Sequence, residues 1–193
     1  MMKGLIIGAG GEGSRLAQFL SEDLSNGIME PMTFAIADDD IVEQGNINVQ
    51  NFSAEDINKN KACALSSKYL GLAPLKARIE NESQLRGFDI IVSCVDNYAT
   101  RALIFSFCSK SKIPYVDIRT SGRQLEAYAN MDYKEIMATI DPFDTKSYSC
   151  QTEHDKMRRT FQRMDRVAAS IAAQCILNIT RGVISPLKIV IRI

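Results

Sequence analysis

The stretch that most limits how this chain can fold is Lys3-Gly4-Leu5-Ile6-Ile7-Gly8-Ala9-Gly10-Gly11-Glu12-Gly13-Ser14. A short apolar run leads into closely spaced glycines. Beyond them Leu16, Phe19, Leu20 and Leu24 recur at helical spacing, with Arg15, Gln18, Glu22 and Asp23 free to face water. This order reads as a buried strand, a tight turn and the first turn of a helix. In such a turn Gly8 lets the chain reverse, Gly10 lets the backbone approach a phosphate, and Gly13 allows close packing of helix on strand. The unpaired N–H groups at the helix start then face the anion. The same glycines can also serve a tight turn that holds no ligand.

Downstream signals continue the alternation of strand and helix. Thr33-Phe34-Ala35-Ile36-Ala37 reads as a second strand ending in Asp38-Asp39-Asp40. An acid some 20 to 25 residues past such a turn is where a Rossmann-like fold meets the ribose hydroxyls. That position favours ribose contact by Asp38 over a merely solvated loop. The loop Glu43–Phe52 is rich in amides, including Asn46, Gln50 and Asn51, which suit either ligand contact or local turn capping. Ser53 ahead of Glu55 and Asp56 reads as a helix start. Lys61 opens a helical pattern through Ala62, Leu65 and Tyr69. There its charge opposes the helix dipole, so a compensating partner is expected, a bound phosphate or plain solvent.

Phe88–Val95 is a nearly continuous apolar run, which points to a strand buried on both faces of a parallel sheet. It ends at Asp96-Asn97, on the side where α/β sheets bind ligands. A helix over about 99–111 and a strand over 113–118 follow. Then Leu125, Ala127, Ala129 and Met131 alternate with polar residues as a half-exposed antiparallel strand. The polar stretch from Met137 to Arg163 reads as a surface excursion. An apolar helix from Met164 to Arg181 and an alternating strand over 187–193 close the chain. The expected class is α/β, a Rossmann-like, mainly parallel sheet flanked by helices, with antiparallel strands in its C-terminal part. At 193 residues one domain is expected, with a core over 1–130, a variable excursion over 131–163 and a closing helix and strand over 164–193.

Charge and cysteine usage narrow the partners. Lys plus Arg and Asp plus Glu number 23 each, so no net field invites nucleic acid or an anionic membrane. No apolar window reaches membrane-spanning length, and the opening apolar run is too short for a secretory signal, which reads as cytoplasmic. Cys63, Cys94, Cys108, Cys150 and Cys175 form no C-x-x-C pair, and His154 is the one histidine, so no structural zinc is expected. Cys63, Cys94, Cys108 and Cys175 lie in apolar patterns and read as core.

Taken in order, these elements resemble the ubiquitin-activating-enzyme superfamily, whose bacterial members ThiF and MoeB adenylate ubiquitin-like sulfur carriers. Its G-x-G-G-x-G-S turn is matched by Gly8–Ser14, with Gly8, Gly10, Gly11 and Gly13 in register. Its D-x-D resembles Asp38-Asp39-Asp40, and its N-x-x-R-Q loop resembles Asn46-Ile47-Asn48-Val49-Gln50. Its lysine falls on Lys61, and its D-N-x-x-x-R on Asp96 to Arg101. The resemblance runs from about residue 4 to 130. It implies attack by a protein's C-terminal carboxylate on the α-phosphate of ATP. Lys61, Asn46 and Gln50 would then bind phosphates, Asp38 and Asp40 with Asn97 would line the nucleotide site, and Asp96 would hold Mg²⁺. Arg101 reads as a structural partner of a carboxylate or carbonyl. A ubiquitin-like or sulfur-carrier protein and a homodimer or heterodimer are the implied partners.

The departures are specific. The family's loop arginine falls at Val49, which cannot donate to a phosphate. Neither the N-terminal arm that dimeric relatives lend each other nor their paired zinc cysteines is expected here. Arg15, Arg119 or another chain would have to stand in for the arginine. Cys150, beside His154, is the candidate thioester nucleophile of such relatives, with an ordinary loop thiol as the simpler reading. A catalytically degenerate subunit or scaffold and an NAD-dependent oxidoreductase are therefore the alternatives to an adenylyltransferase.

Overall fold

A computed structural model describes residues 1–140 and 163–192. The apolar run Leu5-Ile6-Ile7 forms strand β1 (Lys3–Ile7), and side-chain alternation along it divides the core in two. Ile6 packs with Ile36, Val92 and Leu16 on one face, whereas Leu5 and Ile7 pack with Ile91, Ile104 and Phe105 on the other. Burial on both faces is why the run shows no polar alternation.

Around β1 stand β2 (Thr33–Ala37), β3 (Leu72–Leu75), β4 (Ile90–Ser93), β5 (Tyr115–Ser121), β6 (Gln124–Ala129) and β7 (Leu187–Arg192), in the order β3-β2-β1-β4-β5-β6-β7. Neighbours from β3 to β5 are parallel, and the β5–β6 and β6–β7 pairs are antiparallel. Helices α1 (Gly11–Ser25), α2 (Lys61–Lys68) and α5 (Met164–Thr180) supply residues to the Ile6 side, and α3 (Tyr98–Ser111) and α4 (Tyr133–Met137) to the Leu5 side. The expected α/β class with an antiparallel C-terminal part is what the sheet has. No helix among the described residues is long and apolar enough to cross a membrane.

Some local expectations are corrected. Strand β3 has no counterpart among the expected elements; it carries Pro74 and occupies the sheet edge, where a missing donor costs little. Ser53–Asp56 makes a single 3-10 turn over Ala54–Asp56 rather than a long helix, with Ser53 donating from backbone and hydroxyl to Asp56 Oδ2. β6 is more buried than half-exposed, since Leu125, Ala127 and Ala129 face one core and Tyr128 the other. Helix α4 opens the segment read as excursion, anchored by fully buried Ile136. Cys94, Cys108 and Cys175 are buried, but Cys63 is only partly so.

Candidate nucleotide-binding site

The loops leaving β1, β2 and β4 converge on a cavity of about 420 Å³ at the carboxyl ends of the parallel strands. Here β1 and β4 are neighbours although two strands intervene in sequence, so the chain turns to opposite sides at this point and a crevice opens. Gly8, Gly10 and Gly11 line it from the turn at the head of α1. Gly8 has φ +96°, and a Cβ there would stand 2.6 Å from the carbonyl oxygen of Cys94. Gly13 does not line the cavity. A Cβ on it would come 1.9 Å from the Gly8 carbonyl oxygen, so this glycine sets how closely α1 can lie against the turn.

The acidic loop after β2 faces the turn. Asp38 Oδ2 accepts the Ala9 N–H at 2.7 Å and Oδ1 accepts the Asp40 N–H at 2.9 Å, which fixes the carboxylate while leaving lone pairs for further donors. Burial raises its pKa, opposed by those N–H groups and by the charge of Lys61. Lys61, only 7% exposed at the first position of α2, places Nζ 2.7 Å from Asp40 Oδ2. The partner expected for this lysine is therefore in the protein, although Asp40 itself is mostly exposed. Asn60, which sequence reasoning passed over, ties the loop to α2. Its Nδ2 donates to the carbonyls of Asp38 and Asp40, and its Oδ1 accepts the Cys63 N–H. An Asn just ahead of a helical pattern is the signal that would have found it.

The amide-rich loop divides. Gln50 lines the cavity, with Oε1 buried and without a hydrogen-bond partner among the described residues. Asn46 does not line it; its Oδ1 accepts the Glu43 N–H at 2.9 Å and closes a local turn. Asn51 latches the loop to α1. Its N–H donates to Ser14 Oγ, its Nδ2 donates to the Ser14 carbonyl, Gln18 and Tyr69, and its Oδ1 accepts from Arg15 at 2.6 Å.

Past β4, Asp96 and Asn97 line the cavity, and Asn97 Oδ1 caps α3 by accepting the Thr100 N–H. Arg101 is structural, as expected. Its guanidinium donates to Asp117 Oδ1 at 3.0 Å and to the carbonyls of Val95 and Ile118. Neither candidate stand-in for the loop arginine lines the cavity. Arg15 is held by Asn51 and Asp165, and Arg119 by Asp117 and Thr139. An adjoining cavity of about 240 Å³ shares Glu12, Cys94, Val95 and Asp96 with the first. Burial raises the pKa of Glu12 although Thr120 Oγ1 donates to it, and burial pushes the Cys94 thiol well up, which keeps it protonated. Cys150 and His154 lie outside the described residues.

A mainly parallel sheet with a glycine turn, a strand-end acid and a crevice beside β1 defines a nucleotide-binding class of α/β protein. Within that class the chain belongs to the ThiF family, whose sequence profile matches residues 1–187. It is 30% identical over 156 residues to the sulfur carrier protein ThiS adenylyltransferase of Escherichia coli, covering 76% of this chain and 56% of that protein. It is 30% identical over 122 residues to the SAMP-activating enzyme E1 of Haloferax volcanii, covering 58% of this chain and 43% of that one. The chain thus matches about half the length of these relatives. The crystal structure of E. coli MccB with ATP shares the fold, with a TM-score of 0.70 at 20% identity over 100% of this chain and 60% of that one.

Proposed function

We propose that this cavity binds ATP with magnesium and that the chain adenylates the C-terminal carboxylate of a ubiquitin-like or sulfur-carrier protein. The carboxylate oxygen bonds to the α-phosphorus, the bridge to the β-phosphate breaks, and pyrophosphate leaves. The observation that carries this reading is Lys61. A 7%-exposed ammonium at a helix N-terminus opposes both desolvation and the dipole, yet its partner is one exposed carboxylate. A polyphosphate entering the cavity offers it a stronger partner than Asp40 does.

The remaining roles follow from position. The N–H groups at the start of α1 would meet phosphate oxygens, Gln50 and Asn97 would border them, and Asp38 would accept from ribose hydroxyls. Magnesium takes oxygen ligands, and the carboxylates lining this cavity suit a hard cation; Asp96, on the wall shared with the adjoining cavity, would hold it. Bound there, the cation supplies charge neutralisation on the phosphates. The adjoining cavity gives an incoming carboxylate access to that wall. Asn46, turned to its own loop, is left out of the phosphate site. A dimer and a thioester at Cys150 remain parts of the family pattern that this reading takes over as proposals.

A second reading, a degenerate subunit, is favoured by the replacement of the loop arginine by Val49, with Arg15 held by Asn51 and Asp165 and Arg119, on the wall of the adjoining cavity, held by Asp117. Thermal unfolding with Mg-ATP, with NAD and with neither comes first. Ligand at a hundred times its dissociation constant adds about 2.7 kcal/mol, worth about 2–4 °C per kcal/mol for a chain of this size. A shift with NAD alone overturns the proposal. ATP–pyrophosphate exchange with a carrier protein should then be abolished by Lys61→Ala and by Asp96→Ala. Exchange untouched by either change overturns the site assignment, and binding without exchange favours the degenerate subunit.

A further inference from the structure

We infer that Arg78 covers the base of the bound nucleotide and makes the site selective for nucleotides over bare polyphosphate. This rests on the nucleotide-binding reading above and assigns a residue that none of the motifs contains.

Arg78 lies three residues beyond the end of β3 and lines the same cavity as the glycine turn. Strands lie about 4.8 Å apart. In the order β3-β2-β1, the exit of β3 is therefore one spacing from Asp38 and two, about 10 Å, from the turn after β1. With phosphates at the turn and ribose at Asp38, a group leaving β3 faces the far end of the nucleotide. The wall there is apolar. Ile7, Ala37, Ala77 and Ile79 line it, and Ile79 is 3% exposed in the core on the Leu5 side of the sheet. Such a surface suits the flat face of a base and offers nothing to a phosphate.

The loop that carries Arg78 is held firmly. Gln84 Nε2 donates to the Arg78 carbonyl at 2.8 Å, and Gln84 Oε1 accepts the N–H groups of Glu80 and Asn81 at 2.8 and 3.1 Å. One amide side chain thus clamps the backbone on both sides of the buried Ile79. The side chain of Arg78 is exposed, and it makes no ion pair with any described residue. Lys61, the other cation lining this cavity among the described residues, is paired with Asp40. The cavity also carries Glu12, Asp38, Asp39, Asp40 and Asp96, yet none holds the guanidinium. A planar guanidinium over an apolar wall forms a slot that takes an aromatic ring, and stacking with a delocalised cation strengthens the hold.

The test is titration of the full chain with Mg-ATP, and separately with Mg-tripolyphosphate, for wild type, Arg78→Met and Lys61→Ala. Arg78→Met keeps an apolar stem of similar reach and removes the plane and the charge. The expected result is a loss of ATP affinity on the order of tenfold, with tripolyphosphate affinity unchanged. Arg78→Lys should recover little, because an ammonium cannot stack as a plane. Lys61→Ala should weaken both ligands together. An equal loss of ATP and tripolyphosphate affinity in Arg78→Met would place the guanidinium on the phosphates and overturn the inference. Unchanged ATP affinity in that variant, with wild-type binding intact, overturns it while leaving the nucleotide site standing. Wild type that binds neither ligand overturns both.

Discussion

Gly10 and Gly13 stand three residues apart in one motif, and the structure gives them opposite duties that a pair of alanine substitutions separates. At Gly13 an added methyl carbon would lie 1.9 Å from the Gly8 carbonyl oxygen and 2.9 Å from its carbon. Both are backbone atoms, so no rotamer change relieves the overlap. Ordinary contact begins near 3.4 Å, and α1 would have to retreat by about 1.5 Å. That retreat loosens Leu16, Ala17 and Leu20, all fully buried. Overpacking of this kind costs about 3 kcal/mol or more, which lowers Tm by roughly 6–12 °C in a chain of this size. At Gly10 the methyl would meet nothing within 4 Å, and the residue lines the cavity. Gly10, which caps α1 at φ −74° and ψ −144°, has room for the methyl, so Gly10→Ala should lower the Tm of the ligand-free protein by less than Gly13→Ala does. It should still abolish the stabilisation by Mg-ATP, because the methyl occupies the approach to the backbone amides. The assay is differential scanning calorimetry of both variants with and without Mg-ATP. A Gly13→Ala protein that melts with wild type refutes the packing argument. A Gly10→Ala protein that keeps the full Mg-ATP shift refutes the claim that this glycine serves the phosphate.

Two further predictions concern buried carboxylates. Asp117 is fully buried between Arg101 and Arg119 at 3.0 and 2.6 Å, and Arg119 also has Glu126 at 3.6 Å, so Asp117→Asn takes the carboxylate from Arg101, leaves Arg119 only the longer pair, and should cost about 3–5 kcal/mol in urea denaturation. A loss under about 1 kcal/mol would mean that Glu126 and the neighbouring carbonyls suffice. Glu12 has its pKa raised by burial, so the folded state binds its proton more tightly than the unfolded state does. Its contribution is then fully present below the ordinary carboxylate range and is lost as pH rises from that range through the raised folded value. Glu12→Gln keeps an acceptor for Thr120 and removes the titration. Its Tm should exceed that of wild type at pH 7 and converge on it near pH 4; a gap independent of pH would refute the linkage.

Much of the fold was legible because its signals are local. Apolar runs of strand length, glycines at fixed offsets and apolar residues at helical spacing depend on neighbours in sequence, and they located β1, α1, β2, α2, β4 and α3. β3 was not legible, since an edge strand containing Pro74 has neither the composition nor the alternation of a buried one. Of the site, Gly8, Gly10, Gly11, Asp38, Asp40, Gln50, Lys61, Asp96 and Asn97 do line one cavity, whereas Gly13 packs α1 on the turn and Asn46 closes its own turn. Nothing in the run Asn46–Gln50 distinguishes an amide aimed at a ligand from one aimed at its own backbone, because both need the same donors and acceptors.

The sequence alone determined the class: strand, glycine turn, helix and strand-end acid, in an order that identifies the ThiF family. Tertiary structure decided which polar groups share space. It gave Lys61 a protein partner in Asp40, withdrew Arg15 and Arg119 into ion pairs, and brought Arg78 from an unremarked loop to the cavity rim. The physical reason is range. Secondary structure follows from torsional preference and burial along a few consecutive residues. The partner of a charge depends instead on which strand ends the sheet order sets side by side, and that order brings together residues as far apart in sequence as Gly10, Arg78 and Asp96.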